Sequence, residues 1–332
     1  MIRGISTKQQ LSVWFGVILS SFFLWLALKD TNFPAVGGAL ARSQPLFVLP
    51  LLVAVGLFCW AKALRVRLLL MPMRAISSRE NFRIIMIGFA INNIFLVRVG
   101  EIVRIYLLGH EHNLSKTSIL ATMVVERTFD FLIVLCFLGL VIVAGTQIPA
   151  ALANAGYFIA GAGLSLLLMV LISAVWPDAL VAIVQKFARV LPGALQPRIV
   201  HHLRLGIAGV HALKNPRLLS GILLSSAAQG VLMAASLYIG VIAVGLQVPV
   251  SAAFVLLALV VAAMTLPSGP GFFGTIQLCF VLALKPYGVN AADAFAASVF
   301  YHLLTYAAIT ATGLYYLKRT GQKWATLRKL RT

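Results

Sequence analysis

Long apolar stretches broken by short polar and basic clusters run along the whole chain. A hydrocarbon layer of about 30 Å takes roughly 20 helical residues to cross. Six stretches reach that length: 11–28, 45–64, 117–144, 155–176, 218–246 and 292–317. Two other apolar regions fall short. Residues 84–97 supply roughly 21 Å of helix before the polar "RVGE", and the run from there to Gly109 is shorter still. Residues 252–266 and 272–284 supply roughly 20 Å each and are split by "LPSGPGFFGTIQ". The pattern therefore predicts two hairpins that enter the membrane and return, 84–109 and 252–284.

Composition agrees with an integral membrane protein. The 332 residues are 61% hydrophobic and 11% charged, with a mean hydropathy of +0.98, outside the range of soluble globular domains. The first stretch, Leu11 to Leu28, follows Arg3 and Lys8 as a signal peptide would. "LWLALKDTNF" offers no convincing small-residue cleavage site, so a retained helix is expected. Cys59, Cys136 and Cys279 all fall inside apolar runs and suggest neither a metal site nor a disulfide framework.

The excess of 27 Lys and Arg over 8 Asp and Glu would suit nucleic acid, but the cations cluster between apolar segments, as in membrane topogenesis. With the N-terminus inside and both hairpins re-entrant, the interior collects Lys62 to Arg83, Lys186 to Arg217 and Lys318 to Arg331, while the exterior holds Lys29, Arg42 and Lys285. Reading 84–109 as a full span would turn the later basic clusters outward. The expected architecture is all-α and polytopic, with six full spans, two re-entrant hairpins and both termini inside, in the inner (plasma) membrane. Each half, 1–150 and 151–332, reads span, span, hairpin, span. Three crossings per half invert the second relative to the first, a pattern of secondary transporters.

Irregular backbone at membrane depth is tolerated where protein buries it or a water-filled cavity adjoins it. Pro267 and Pro270 stop the incoming helix, and Gly269, Gly271 and Gly274 allow tight turning. A helix restarting near Phe272 would aim free N–H groups inward as a site for phosphate or carboxylate, with Ser268, Gly271, Gly274 and Gln277 as its candidate contacts. A simple packing kink is the alternative. The first hairpin carries Arg98, Glu101 and Arg104 at spacings of three, and "VVERTFD" adds Glu126, Arg127 and Asp130. Ionisable groups at such depth are costly and mark substrate or ion pathways, although a self-neutralising structural network is an equally open reading. Arg98 and Arg104 are the candidate phosphate ligands, because guanidinium forks suit phosphate oxygens.

"NN" followed by "RVGEIVRIYLL", then "ERTFD", then "PSGPGFFGTIQ" resembles the flippase-like membrane family that includes the transmembrane part of lysylphosphatidylglycerol synthases, over almost the whole chain. The family pattern of an Asn, a G-E-x-x-R and an E-R-x-x-D is carried by Asn92 or Asn93, Gly100, Glu101, Arg104, Glu126, Arg127 and Asp130. The resemblance implies a translocase of lipids or lipid-linked groups, with a phospholipid or polyprenyl-linked lipid as partner. The chain departs from many relatives at Leu96 and Val97, where they have a proline, and at Gln277, where they have a glutamate.

Enzymatic readings find little support. Too few residues follow the last span to hold the soluble aminoacyl-transfer domain of the bifunctional synthases. The exterior acids Asp30 and Asp293 are isolated, and the chain has neither a D-x-D nor a D-G-x-x-A-R signature. Glu126 and Asp130, one turn apart, could hold Mg²⁺ or relay protons, but the adjacent Arg127 favours ion pairing. No nucleotide motif, metal site or cofactor is expected. "GHEHNL" reads as a surface loop, and His302 as a packing residue or a proton gate. The basic loop 177–217, with His201, His202 and His211, and the tail "LKRTGQKWATLRKLRT" read as interfacial segments on anionic lipid. A scaffold for a lipid-modifying enzyme remains the alternative function.

Overall fold

The structure, a computed structural model, describes residues 18, 20–29, 32–95, 99–143, 150–188, 196–265 and 269–320. Helices are joined by turns, and no strand occurs among the described residues. The first half contains α1 (20–28), α2 (Phe33–Ala41), α3 (Val48–Leu70), α4 (Ser78–Ile94), α5 (Val99–His112) and α6 (Lys116–Val143). The second contains α7 (Ala150–Val175), α8 (Pro177–Ala188), α9 (Gln196–Ala208), α10 (Pro216–Ile242), α11 (Ser251–Ala263), α12 (Thr275–Leu284) and α13 (Ala291–Arg319). Polar side chains start several of them. Ser77 accepts the Glu80 amide at 3.2 Å, Asn215 accepts those of Arg217 and Leu218, and Asn290 accepts that of Asp293, so donors that a helix start leaves free are satisfied.

Three described helices are long and apolar enough to cross a membrane: Pro45–Leu70, Pro216–Ile242 and Ala291–Arg319. α7 would add a fourth taken together with α8, which turns from it by 106° at Trp176. α6, at 28 residues, spans roughly 42 Å, yet Glu126, Arg127 and Asp130 interrupt its apolar sequence. Residues 11–17 and 19 of the expected span 11–28, together with Arg98, Ser268 and most of the basic tail, lie outside the described residues.

The two apolar regions that fall short form paired helices, α4 with α5 and α11 with α12. Two expectations need correction. The expected span 45–64 continues to Leu70, and Lys62 and Arg65, assigned to an interior loop, are buried at 6% and 0% exposure. They can be buried because carboxylates on α6 neutralise them. The basic loop 177–217 is largely helical, as α8 and α9. Asp293 bonds Arg42 at 3.1 Å where α2 packs on α13.

α3 lies along α10, α4 packs on α13 and α11 packs on α6. α4 also touches α3 and α5, as α11 touches α10 and α12, and α6 meets α5 and α10 as α13 meets α12 and α3. Exchanging α3 with α10, α4 with α11, α5 with α12 and α6 with α13 leaves this set of contacts unchanged. The main core fills the space between α3, α6, α10, α11, α12 and α13 with residues such as Leu51, Leu237, Leu256 and Phe280.

In the first hairpin the backbones of α4 and α5 nearly touch. A Cβ on Gly100 would lie 1.9 Å from the Gly88 carbonyl oxygen and 2.7 Å from Asn92 Oδ1. The same Oδ1 accepts the Gly100 amide at 2.8 Å. Gly100→Ala is therefore expected to cost about 1–3 kcal/mol or more through overpacking. A thermal-unfolding assay in detergent checks this, with Gly56→Ala as control, since a Cβ there meets nothing within 4 Å.

Candidate functional site

Residues three or four apart share a helix face, and three helices use this spacing to aim charge at one another. α3 presents Lys62 and Arg65, α5 presents Glu101 and Arg104, and α6 presents Glu126, Arg127 and Asp130. Glu126, at 3% exposure, takes Arg104 at 3.0 Å on one oxygen and Lys62 at 3.3 Å on the other. Asp130 takes Arg65 at 2.6 Å and lies 4.0 Å from Lys62 and 3.7 Å from Arg127. Arg65 also donates to Ser226 of α10 at 3.2 Å, and Arg127 reaches Glu101 at 2.6 Å. Nε of Arg104 and Nε of Arg65 are buried without a hydrogen-bond partner.

Beside this network lies a cavity of about 450 Å³, a size typical of small-molecule sites. Lys62, Arg104, Arg127, Glu101 and Asp130 line it, with Asn92 and Asn93 of α4, Ser226 and Gln229 of α10 and Thr305 of α13. Phe58, Phe131, Leu257 and Met264 supply apolar wall. Gly271, Phe272, His302 and Tyr306 also line it, so both hairpins border one space. Asn93 is steadied by donating to Thr310 at 2.9 Å.

The second hairpin is organised by hydrogen bonds without charge. The Gly274 amide donates to Gln277 Oε1 at 2.7 Å, and Gln277 Nε2 lies 3.0 Å from His302 Nδ1. His302 Nε2 lies 2.8 Å from the Gly271 carbonyl oxygen. Since that oxygen only accepts, the proton belongs on Nε2 and Nδ1 accepts from the amide. Gly271 and Gly274 have φ of 62° and 83°, which glycine adopts without penalty. A Cβ on Gly274 would sit 2.3 Å from the Ser20 carbonyl oxygen of α1, and Ser20 Oγ accepts the Gly269 amide at 2.5 Å.

The sequence model described as "Lysylphosphatidylglycerol synthase TM region" matches residues 13–313. The chain belongs to this family. No match was found among curated proteins or among solved structures.

This lysylphosphatidylglycerol synthase TM region protein gathers Asn92, Asn93, Glu101, Arg104, Arg127, Asp130, Gly271 and His302 around one cavity, with Glu126 directly behind it. Gly274 and Gln277 do not line that cavity. Gln277 caps the Gly274 amide, and α12 begins at Thr275 instead of near Phe272. His302 lines the cavity and is bonded through both ring nitrogens. Lys62, Arg65, Ser226 and Gln229 escaped the sequence reading. The one signal for the two cations was the apolar run resuming after them to Leu70.

Glu80, Glu111 and His112 of "GHEHNL" and its neighbourhood bring ligand atoms within 4.8 Å of one another. Arg83 pairs with both carboxylates and already supplies the positive charge there.

The network makes unequal demands on stability. Glu126→Gln leaves Lys62 and Arg104 without their shared counter-charge and is expected to cost roughly 3–5 kcal/mol. Arg127→Gln removes a pair whose cation is 44% exposed and should cost less than about 1 kcal/mol. Denaturation of the two variants in the same detergent measures the contrast.

Proposed function

We propose that this protein is a non-enzymatic translocase that carries lipids with a phosphate-bearing headgroup across the inner membrane. The carrying observation is the cavity that both hairpins border, lined by Lys62, Arg104 and Arg127 together with apolar side chains such as Phe58, Phe131 and Leu257. Guanidinium and ammonium groups suit phosphate oxygens, and the buried, partnerless Nε of Arg104 offers a donor that costs free energy while unused. Membership of the lysylphosphatidylglycerol synthase TM region family is consistent with this reading.

The proposed topology has six spans, two re-entrant hairpins and both termini inside. Its halves form an inverted repeat, which the exchange pattern of helix contacts supports. In such a repeat, access alternates as one half rocks against the other around a central site, and the α3–α10 contact is the natural seam. Acyl or isoprenoid chains stay in the bilayer while the headgroup passes. The chain holds no G-x-x-x-x-G-K-[ST] sequence, so the proposal includes no nucleotide-driven step.

The test is movement of acyl-labelled phospholipids and polyprenyl phosphates in proteoliposomes. Wild type is expected to move at least one headgroup class, and Arg104→Gln to lose at least roughly tenfold of that rate, the worth of one charged hydrogen bond. Arg104→Lys should recover part of it. Equal rates in wild type and Arg104→Gln would remove the headgroup site, and no movement of any lipid would favour a scaffold for a lipid-modifying enzyme.

A further inference from the structure

The buried part of the network does not balance. Glu126 has Arg104 at 3.0 Å and Asp130 has Arg65 at 2.6 Å, so each carboxylate already holds an arginine of its own. Lys62 is a third cation for the same two acids, 3.3 Å from Glu126 and 4.0 Å from Asp130. Its side chain is 7% exposed, yet it lines the cavity. Glu101 is engaged by Arg127, a cation outside this buried set. Of the other described carboxylates, Glu80 and Glu111 pair with Arg83, Asp293 pairs with Arg42, and Asp178 lies in the first turn of α8. With Lys62 protonated, the buried cluster therefore carries one positive charge more than its carboxylates neutralise.

An unanswered charge is costly where water is scarce. A guanidinium does not release its proton, whereas a lysine ammonium can. Lys62 is thus the member of the buried set able to restore balance, and both carboxylates keep an arginine when it does. A phosphodiester headgroup with a single negative charge restores the balance in another way, by answering the ammonium. We infer that Lys62 is a proton site linked to the headgroup: its amine takes up one proton from water when a singly charged phosphodiester enters the cavity, and returns it when the headgroup leaves. The amine becomes an ammonium and no other bond changes. This rests on the reading of the cavity as a phosphate-headgroup site. If the lipid is also carried across, one proton travels with each headgroup, the pair moves without net charge, and a proton gradient can drive it.

The groups around Lys62 leave the role to it. Protonating Glu126 or Asp130 would strand a buried arginine. Arg65, Arg104 and Arg127 keep their charge. The Cys59 thiol, on the same helix, is packed in the main core. The cavity lining from α4 and α10 adds the neutral Asn92, Asn93, Ser226 and Gln229, and α13 adds Tyr301, Tyr306 and His302, whose ring nitrogens are both bonded.

The test is calorimetric titration of the purified full chain in detergent with short-chain phosphatidylglycerol, in buffers of different ionisation enthalpy, from mildly acidic to alkaline pH. Wild type is expected to take up as much as one proton per lipid bound, and its affinity to fall by up to about tenfold per pH unit as pH rises through that range. Lys62→Arg keeps the charge without a releasable proton, so it should bind with no uptake and a flat pH profile. Lys62→Gln should bind more weakly, also without uptake. Binding by wild type without proton uptake, or uptake that persists in either variant, overturns the inference and leaves the headgroup site standing. Absence of any binding by wild type removes the headgroup site and the inference together.

Discussion

The rest of the structure depends on neutralising Glu126 and Asp130 inside an apolar protein. Two carboxylates one turn apart on α6 would be prohibitively costly without partners, and the chain spends α3 and α5 in supplying them. Lys62 is shared by both acids, Arg104 fixes α5 to α6, and Arg65 fixes α3 to α6 while also reaching α10. Four helices are thereby held in one register by charge, and the cavity lies beside the point where they meet. Glu126 could not be relocated along α6 without releasing both α3 and α5.

Much of this was legible in the sequence because its physics is local. Apolar run length marked the two regions that form the paired helices α4 with α5 and α11 with α12, and the spacings of Glu101 with Arg104 and Glu126 with Asp130 put each pair on one face. The break at Gly269 to Gly274 announced itself through proline and glycine. Lys62 and Arg65 were read as a membrane flank because a cation after an apolar run has the same sequence signature whether it meets water or a buried acid. Only the partner on α6, more than sixty positions away in the chain, decides between the two.

The helices of α8 and α9 show a different limit. Their composition announced an amphipathic stretch, but not that α9 would dock on α6 through Ser118, which donates to the Leu205 carbonyl oxygen at 2.7 Å. Trp176, Ile183 and Phe187 remain exposed beyond the bend, a sensible arrangement where an aromatic and aliphatic edge meets lipid. α6 thus connects the ionic network at its middle with this surface at its start.

The hydrogen-bond chain through Gly274, Gln277, His302 and Gly271 runs in one direction, each group donating to the next. A glutamate in place of Gln277 has no proton to offer His302 when ionised. The imidazole would then have to turn its own N–H toward residue 277 and either abandon the Gly271 carbonyl or take up a second proton. With glutamine the tip stays uncharged and keeps every donor used. The two hairpins are therefore held by different means: paired charges tie the first to its neighbours, and a one-way chain of neutral hydrogen bonds whose direction Gln277 sets ties the second.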